Sequence, residues 1–260
     1  MKIVPPMFPE KRRRFFGANI DLLTTDESIR AAEAIIASRI PTQHVGVNVS
    51  KLIQMKEDPH LAEMVNACPI INVDGQGVVW GARWLGVPVP ERVTGIDLFT
   101  LLVERAEKKG YKIYFFGARE EMVKRTVENF LKDHPDLKVA GWRNGYFKEE
   151  EEAGIVRDIR NSGADMIFVA MTSPKKEYFL TKYLDEMNVP FAMGVGGSFD
   201  VIAGMAIRAP LWVQRIGFEW FFRLLNEPRR LWKRYLTTNV VFAWMLFKAV
   251  LFGRKRYDCD

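Results

Sequence analysis

Asp165-Met166-Ile167-Phe168-Val169-Ala170, followed by Met171-Thr172-Ser173-Pro174-Lys175-Lys176-Glu177, decides how the chain is read. The first run is almost wholly apolar and has strand length. It lacks the alternation of a half-buried strand, so both its faces must be covered. Pro174, with φ fixed and no N–H to satisfy, then opens a helix. The same unit recurs on either side. Gln43–Val49, Pro69–Val73, Lys112–Phe116, Lys138–Gly141 and Pro190–Val195 read as five further strands, and Glu120–Lys132 and Glu149–Asn161 as helices among them. Asp26 is placed to cap an earlier helix. This alternation implies an open α/β fold with a mainly parallel sheet flanked by helices. Past Gly204 the pattern turns helical and aromatic, so residues 1–204 read as an α/β body and 205–260 as a basic helical appendage.

The 260 residues carry a net charge of +6, with 48% hydrophobic and 27% charged side chains, a globular balance that excludes a disordered or fibrous chain. The charge is unevenly spread. From Met205 to Tyr257 there are eleven Lys/Arg against Glu219 and Glu227, a net of +9, which leaves −3 for the remainder. A basic C-terminal fifth on a mildly acidic body points to an anionic partner: nucleic acid, phospholipid headgroups or a polyphosphate substrate. Cys68 and Cys259 are too few and too distant for a disulfide scaffold or a zinc site, and His44, His60 and His134 have no metal-ligand spacing. The expectation is a reducing compartment and no bound metal. No apolar signal-peptide core follows Lys11-Arg12-Arg13-Arg14.

Ligands of open α/β folds bind beyond the C-terminal ends of the strands, and polar residues gather there. Asp74, in Asn72-Val73-Asp74-Gly75, is a turn residue on the simpler reading and a general base on the functional one. Arg92, in Glu91-Arg92-Val93-Thr94-Gly95-Ile96-Asp97, is either a loop salt bridge or a guanidinium fork for phosphate. Gly194-Val195-Gly196-Gly197-Ser198-Phe199-Asp200 is either a tight strand-to-helix turn or a backbone cradle for phosphate at a helix N-terminus. It is no full dinucleotide fingerprint, and the chain has no P-loop. Lys175 and Lys176 stand where a helix dipole disfavours cations, which hints at an anionic ligand beside the plainer reading of a solvated helix start.

The last helix is expected over Leu231–Phe252. Val240–Phe252 is apolar nearly all round except at Lys248, and Arg254-Lys255-Arg256 follows. A run of thirteen residues falls short of the ~20 that span a bilayer. An interfacial helix with basic flanks fits better, the alternative being a helix docked on the protein's own core or on a sister subunit in a homo-oligomer. The terminal Asp258-Cys259-Asp260 is a formal Asp-x-Asp, but it follows no strand and is set down to chance.

Taken in order, these segments resemble the WecG/TagA/CpsF glycosyltransferases from about Asn19 to Tyr235. The resemblance rests on Asn72-Val73-Asp74-Gly75, Pro90-Glu91-Arg92-Val93-Thr94-Gly95-Ile96-Asp97-Leu98, Phe116-Gly117-Ala118, His134-Pro135-Asp136-Leu137 and Gly141 with Gly145-Tyr146-Phe147. It continues through Ser173-Pro174-Lys175-Lys176-Glu177, the Gly194–Asp200 loop, Ala203-Gly204, Arg208-Ala209-Pro210, Gly217-Phe218-Glu219-Trp220 and Arg223, and Glu227-Pro228-Arg229-Arg230. The resemblance implies a Rossmann-like fold and metal-independent transfer of a sugar from a UDP-sugar, with inversion, to a saccharide on a polyprenyl (undecaprenyl) diphosphate in cell-surface polysaccharide synthesis. It implies no cofactor and no nucleic acid, and a cytoplasmic enzyme peripheral on the inner face of the cell membrane. The sugar would be N-acetylmannosamine, its uronic acid, glucuronic acid or a hexose.

By motif position Asp74 is the catalytic base. The acceptor side comprises Asn48, Arg92, Arg208, Arg223, Arg229 and Arg230, and the donor side Gly117, Lys175, Lys176, Glu177, Gly194, Gly196, Gly197, Ser198, Phe199 and Asp200. Two positions depart from the family pattern: Gly46 where Thr is frequent, and Lys176 where Gln is usual. The added charge at Lys176 suits an acidic sugar. Two rival readings are weaker. A nicotinamide-dependent oxidoreductase needs an early glycine fingerprint that Asn48-Val49-Ser50-Lys51 does not supply, and a non-catalytic membrane- or nucleic-acid-binding module leaves Asp74 and Arg92 without a task.

Overall fold

The computed structural model describes residues 5–253 and Cys259, with only the backbone at Arg230 and Arg234. Six parallel strands form the sheet: β3 (Thr42–Val47), β4 (Ile70–Val73), β5 (Lys112–Gly117), β6 (Lys138–Arg143), β7 (Met166–Ala170) and β8 (Phe191–Gly194), in the order β4-β3-β8-β7-β5-β6. Every residue of β7 is buried, as its unbroken apolar run requires. The fold is the expected Rossmann-like α/β arrangement with a C-terminal helix.

One face of the sheet carries α1 (Thr25–Ser38), α5 (Gly95–Lys109) and α6 (Glu120–Asp133), packed over a phenylalanine cluster of Phe99, Phe115, Phe130 and Phe168. The other face carries α2 (Val49–Glu57), α3 (Pro59–Asn66), α7 (Glu152–Asn161) and α8 (Lys175–Met187). Beyond the sheet lie α4 (Gln76–Trp84), α9 (Ser198–Ile202), α10 (Leu211–Arg215), α11 (Glu219–Asn226) and α12 (Pro228–Phe252).

Some local expectations are corrected. The cap of α1 is Thr24, which forms a reciprocal capping box with Glu27, while Asp26 sits inside the first turn. Gln43–Val49 ends as a strand at Val47, because Asn48 caps α2 by accepting from the Lys51 N–H at 3.0 Å. The basic run at 11–14 forms β1 (Arg12–Phe15), paired antiparallel with β2 (Ala18–Asp21). Arg12 is a latch there: it donates to both oxygens of buried Asp21 at 2.7 and 2.8 Å and to the Cys68 and Pro69 carbonyls. Asp21 in turn accepts from the Ile71 N–H, tying the hairpin to β4.

The final helix begins at Pro228, a turn earlier than its apolar pattern suggested, since proline is tolerated at a first helical position. Its Leu231–Phe252 stretch is long and apolar enough to cross a membrane by length and composition, which the thirteen-residue count understated. One face is nevertheless seated on the protein: Phe242, Met245, Leu246 and Ala249 join the core cluster of β1, α2 and α4. At Gly81 of α4 a side-chain carbon would stand 2.9 Å from both Leu246 and Phe242, so only glycine lets the two helices approach this closely. The opposite face exposes Trp232, Leu236, Val240, Trp244, Phe247 and Leu251, an unbroken apolar stripe at three- and four-residue spacing. Arg254-Lys255-Arg256, Asp258 and Asp260 lie outside the described residues, as do residues 1–4.

Candidate active site

The register of the sheet assembles the site. Val47 pairs with Val73, so the residues that follow them, Asn48 and Asp74, emerge side by side at the C-terminal edge. The Asp74 carboxylate accepts from the Gly95 N–H at 2.8 Å and from Asn48 Nδ2 at 3.4 Å. Gly95 is the first residue of α5, so Asp74 satisfies one of the donors that a helix start leaves free. The side chain is partly exposed, hence reachable. Gly46 makes room for it: a β-carbon there would lie 3.1 Å from the Asp74 β-carbon.

The same end of α5 anchors a cluster of charges. Thr94 caps the helix and Asp97 fills its third position, where Asp97 Oδ1 meets Arg208 Nη2 at 2.6 Å. Glu219, at the start of α11 and 7% exposed, faces three guanidinium groups: Arg92 at 3.4 Å, Arg223 at 3.1 Å and Arg208 at 3.8 Å. Three arginines against two carboxylates leave the cluster one charge positive. Arg208 Nε and Nη2 are buried without an in-line hydrogen bond.

A second charged cluster lies beyond β7 and β8. Lys51 is buried and pairs with buried Glu177 and with Ser173 Oγ. Lys176 Nζ lies 3.5 Å from Glu177. Burial pushes the Lys51 ammonium down to about 8 against the pull of Glu177. Burial works to raise the Glu177 carboxyl, but Lys176 and Lys51 outweigh it and hold that carboxyl below its ordinary value. The Lys176 stem lies across Gly194, where a β-carbon would stand 2.6 Å from it, and its ammonium reaches Gly196. Lys175 rests over the Phe147 ring at 4.6 Å. Gly117 turns with φ +118° against the Ala170 carbonyl, at the end of the neighbouring strands β5 and β7. Gly197 and Asp200 face Arg223, Asn226 and Leu231 across a cleft of about 210 Å³ that joins the glycine loop to α11 and α12.

The structure thus draws together Asp74, Asn48, Arg92, Arg208 and Arg223, and beside them the lysines and the glycine loop. Other expected residues stand elsewhere. Phe199 is fully buried against Phe99 and Phe115; its ring completes the phenylalanine cluster and cannot contact a ligand, because an aromatic after a glycine turn is held by the core beneath. Glu177 faces lysines rather than the cleft, and the Ser198 hydroxyl donates back to the Val195 carbonyl at 2.8 Å. Arg229 is exposed on the first turn of α12, and the side chain of Arg230 lies outside the described residues. Sequence reasoning missed Glu219, Asp97 and Lys51 as site residues. The signal for Glu219 was its isolation, one of two acids in a strongly basic segment.

A parallel sheet with carboxylate, guanidinium and glycine-loop groups converging beyond its C-terminal edge is the arrangement in which open α/β proteins bind polar ligands. The description "Glycosyl transferase WecG/TagA/CpsF family" matches residues 13–256, and the chain belongs to that family of glycosyltransferases. Among curated proteins it is similar to an N-acetylglucosaminyldiphosphoundecaprenol N-acetyl-beta-D-mannosaminyltransferase of Bacillus spizizenii, 36% identical over 181 residues, 70% of this chain and 69% of that one. A protein of the same description from Bacillus subtilis is 34% identical over 181 residues, 70% of each chain.

Proposed function

We propose that this protein transfers an N-acetylmannosamine-type sugar from its UDP donor to a saccharide on a polyprenyl diphosphate, with inversion and without a metal. The observation that carries the reading is Asp74, a reachable carboxylate fixed by Asn48 and by Gly95 at the helix end where Asp97 holds Arg208. In a single displacement Asp74 takes the proton of the acceptor hydroxyl, and the oxygen attacks the anomeric carbon. The bond from that carbon to the UDP oxygen breaks, and UDP leaves with the bonding pair. The leaving diphosphate is stabilised by N–H groups of the Gly194–Ser198 loop and by Lys176, and the acceptor diphosphate by Arg92, Arg208 and Arg223.

Two lysines sharing Glu177 leave a positive charge beside the donor loop, which favours a uronic acid donor over its neutral parent. The exposed stripe of α12 lies on the cytoplasmic face of the membrane and holds the enzyme where its lipid-linked acceptor is.

The test is UDP release in EDTA, screening UDP-N-acetylmannosamine, its uronic acid, UDP-glucose and UDP-glucuronic acid against short-chain diphospholipid-linked sugars. Acceptor-dependent release with one donor is expected. Asp74→Asn keeps UDP binding and loses at least about a hundredfold in turnover. Undiminished turnover in that variant removes Asp74 as the base, and release only after metal is restored overturns the metal-free mechanism.

A further inference from the structure

We infer that Glu219 is a positioning residue, whose carboxylate gathers Arg92, Arg208 and Arg223 into one cradle for the diphosphate of the lipid-linked acceptor. The inference rests on the proposed function for the identity of that ligand, but its geometry stands alone.

The three arginines come from unconnected parts of the chain: the segment before α5, the segment before α10, and α11 itself. Guanidinium groups do not converge unaided, because like charges in a partly desolvated site repel. Glu219 supplies the counter-charge, with one oxygen toward Arg92 and the other toward Arg223 and Arg208. Its burial fixes the point on which they converge. The pairing does not exhaust them. Each guanidinium carries five donors, and the side chains of Arg92, Arg208 and Arg223 stay 14%, 24% and 41% exposed, which leaves donors for a diphosphate. Asp97 ties Arg208 to the third residue of α5, whose first residue holds Asp74. The cradle and the base therefore share one rigid helix end, and the Glu219 carboxylate sets their separation.

The sign of the effect distinguishes this role from its opposite. If Glu219 merely occupied the site, removing its negative charge would tighten anion binding by Coulomb's law alone. If it positions the arginines, removal lets them splay and binding weakens. The experiment measures affinity for geranyl diphosphate, a short soluble prenyl diphosphate, with saturating UDP present to fill the donor side. Wild type, Glu219→Gln and Glu219→Asp are compared, together with acceptor KM and kcat.

Glu219→Gln is expected to weaken geranyl diphosphate binding at least about tenfold and to raise acceptor KM by a similar factor, with a much smaller change in kcat. Glu219→Asp, which keeps the charge but shortens its reach, should recover part of the loss. Should Glu219→Gln fail to fold, Glu219→Asp alone must still bind more weakly than wild type. Equal or tighter binding in a folded variant overturns the assignment, as does a wild type that does not bind the probe. Absence of sugar transfer by wild type with probe binding intact would instead count against the proposed reaction and leave the cradle standing.

Discussion

His44 lies on β3 two residues before Gly46, wholly inside the protein. Its Nε2–H donates to Asn72 Oδ1 at 2.6 Å, and Asn72 Nδ2 donates to Ser28 Oγ at 2.9 Å, while His44 Nδ1 has no partner. Burial is the dominant cause that pulls the imidazole down to about 4, against the opposing pulls of Asn72 and Asp74. The folded protein therefore binds this proton less readily than the unfolded chain, whose histidine titrates near 6.5. Stability from this group is complete above that value and is lost as pH falls toward 4, by about 3 kcal/mol at the lower end. Thermal unfolding followed from pH 7 downward should show this loss, and His44→Gln should flatten it. An equal slope in the variant would assign the acid sensitivity to other groups.

At the scale of elements, α12 has two faces, one packed on the core and one exposed. Leu246 packs into Gly81 of α4, so Leu246→Ala opens a cavity and should cost about 2–5 kcal/mol in denaturant unfolding. Trp244 is half exposed on the outer stripe, so Trp244→Glu should leave stability nearly unchanged and reduce co-sedimentation with phosphatidylglycerol vesicles severalfold. If Trp244→Glu binds vesicles as wild type does, the stripe is no membrane face and a second copy of the chain becomes its better partner. An apolar helix reads the same whichever side is covered. What splits it is α4, which offers a glycine at the point of contact.

The whole molecule is electrically polar, with +7 on residues 205–260 and −1 on residues 1–204. Such an arrangement orients the protein toward an anionic surface, and the attraction is screened over about 10 Å at 0.1 M salt. Vesicle association should fall steeply as salt is raised and return on dilution. Salt-insensitive association would mean that apolar burial of α12 alone drives it. Part of the basic charge is offset internally, since Arg208 and Arg223 pair with Glu219.

Apolar run length determined most of the sheet: strands too uniform to have a wet face had to be parallel and covered, and all six expected strands are present in one sheet, with only the edge strand β6 left without a buried residue. The motif at Asn72–Gly75 also located Asp74, because a carboxylate that ends a buried strand has few places to be. Three-dimensional packing decided the rest. The partnership of Asn48 with Asp74 depends on the pairing of Val47 with Val73, a register that no local pattern encodes. Phe199 reads as part of a ligand loop and is a core ring, because the loop is anchored by what lies under it. Glu219, Asp97 and Lys51 are ordinary charged residues in sequence. They enter the candidate site because distant segments converge on them, and burial then requires each charge to find its opposite.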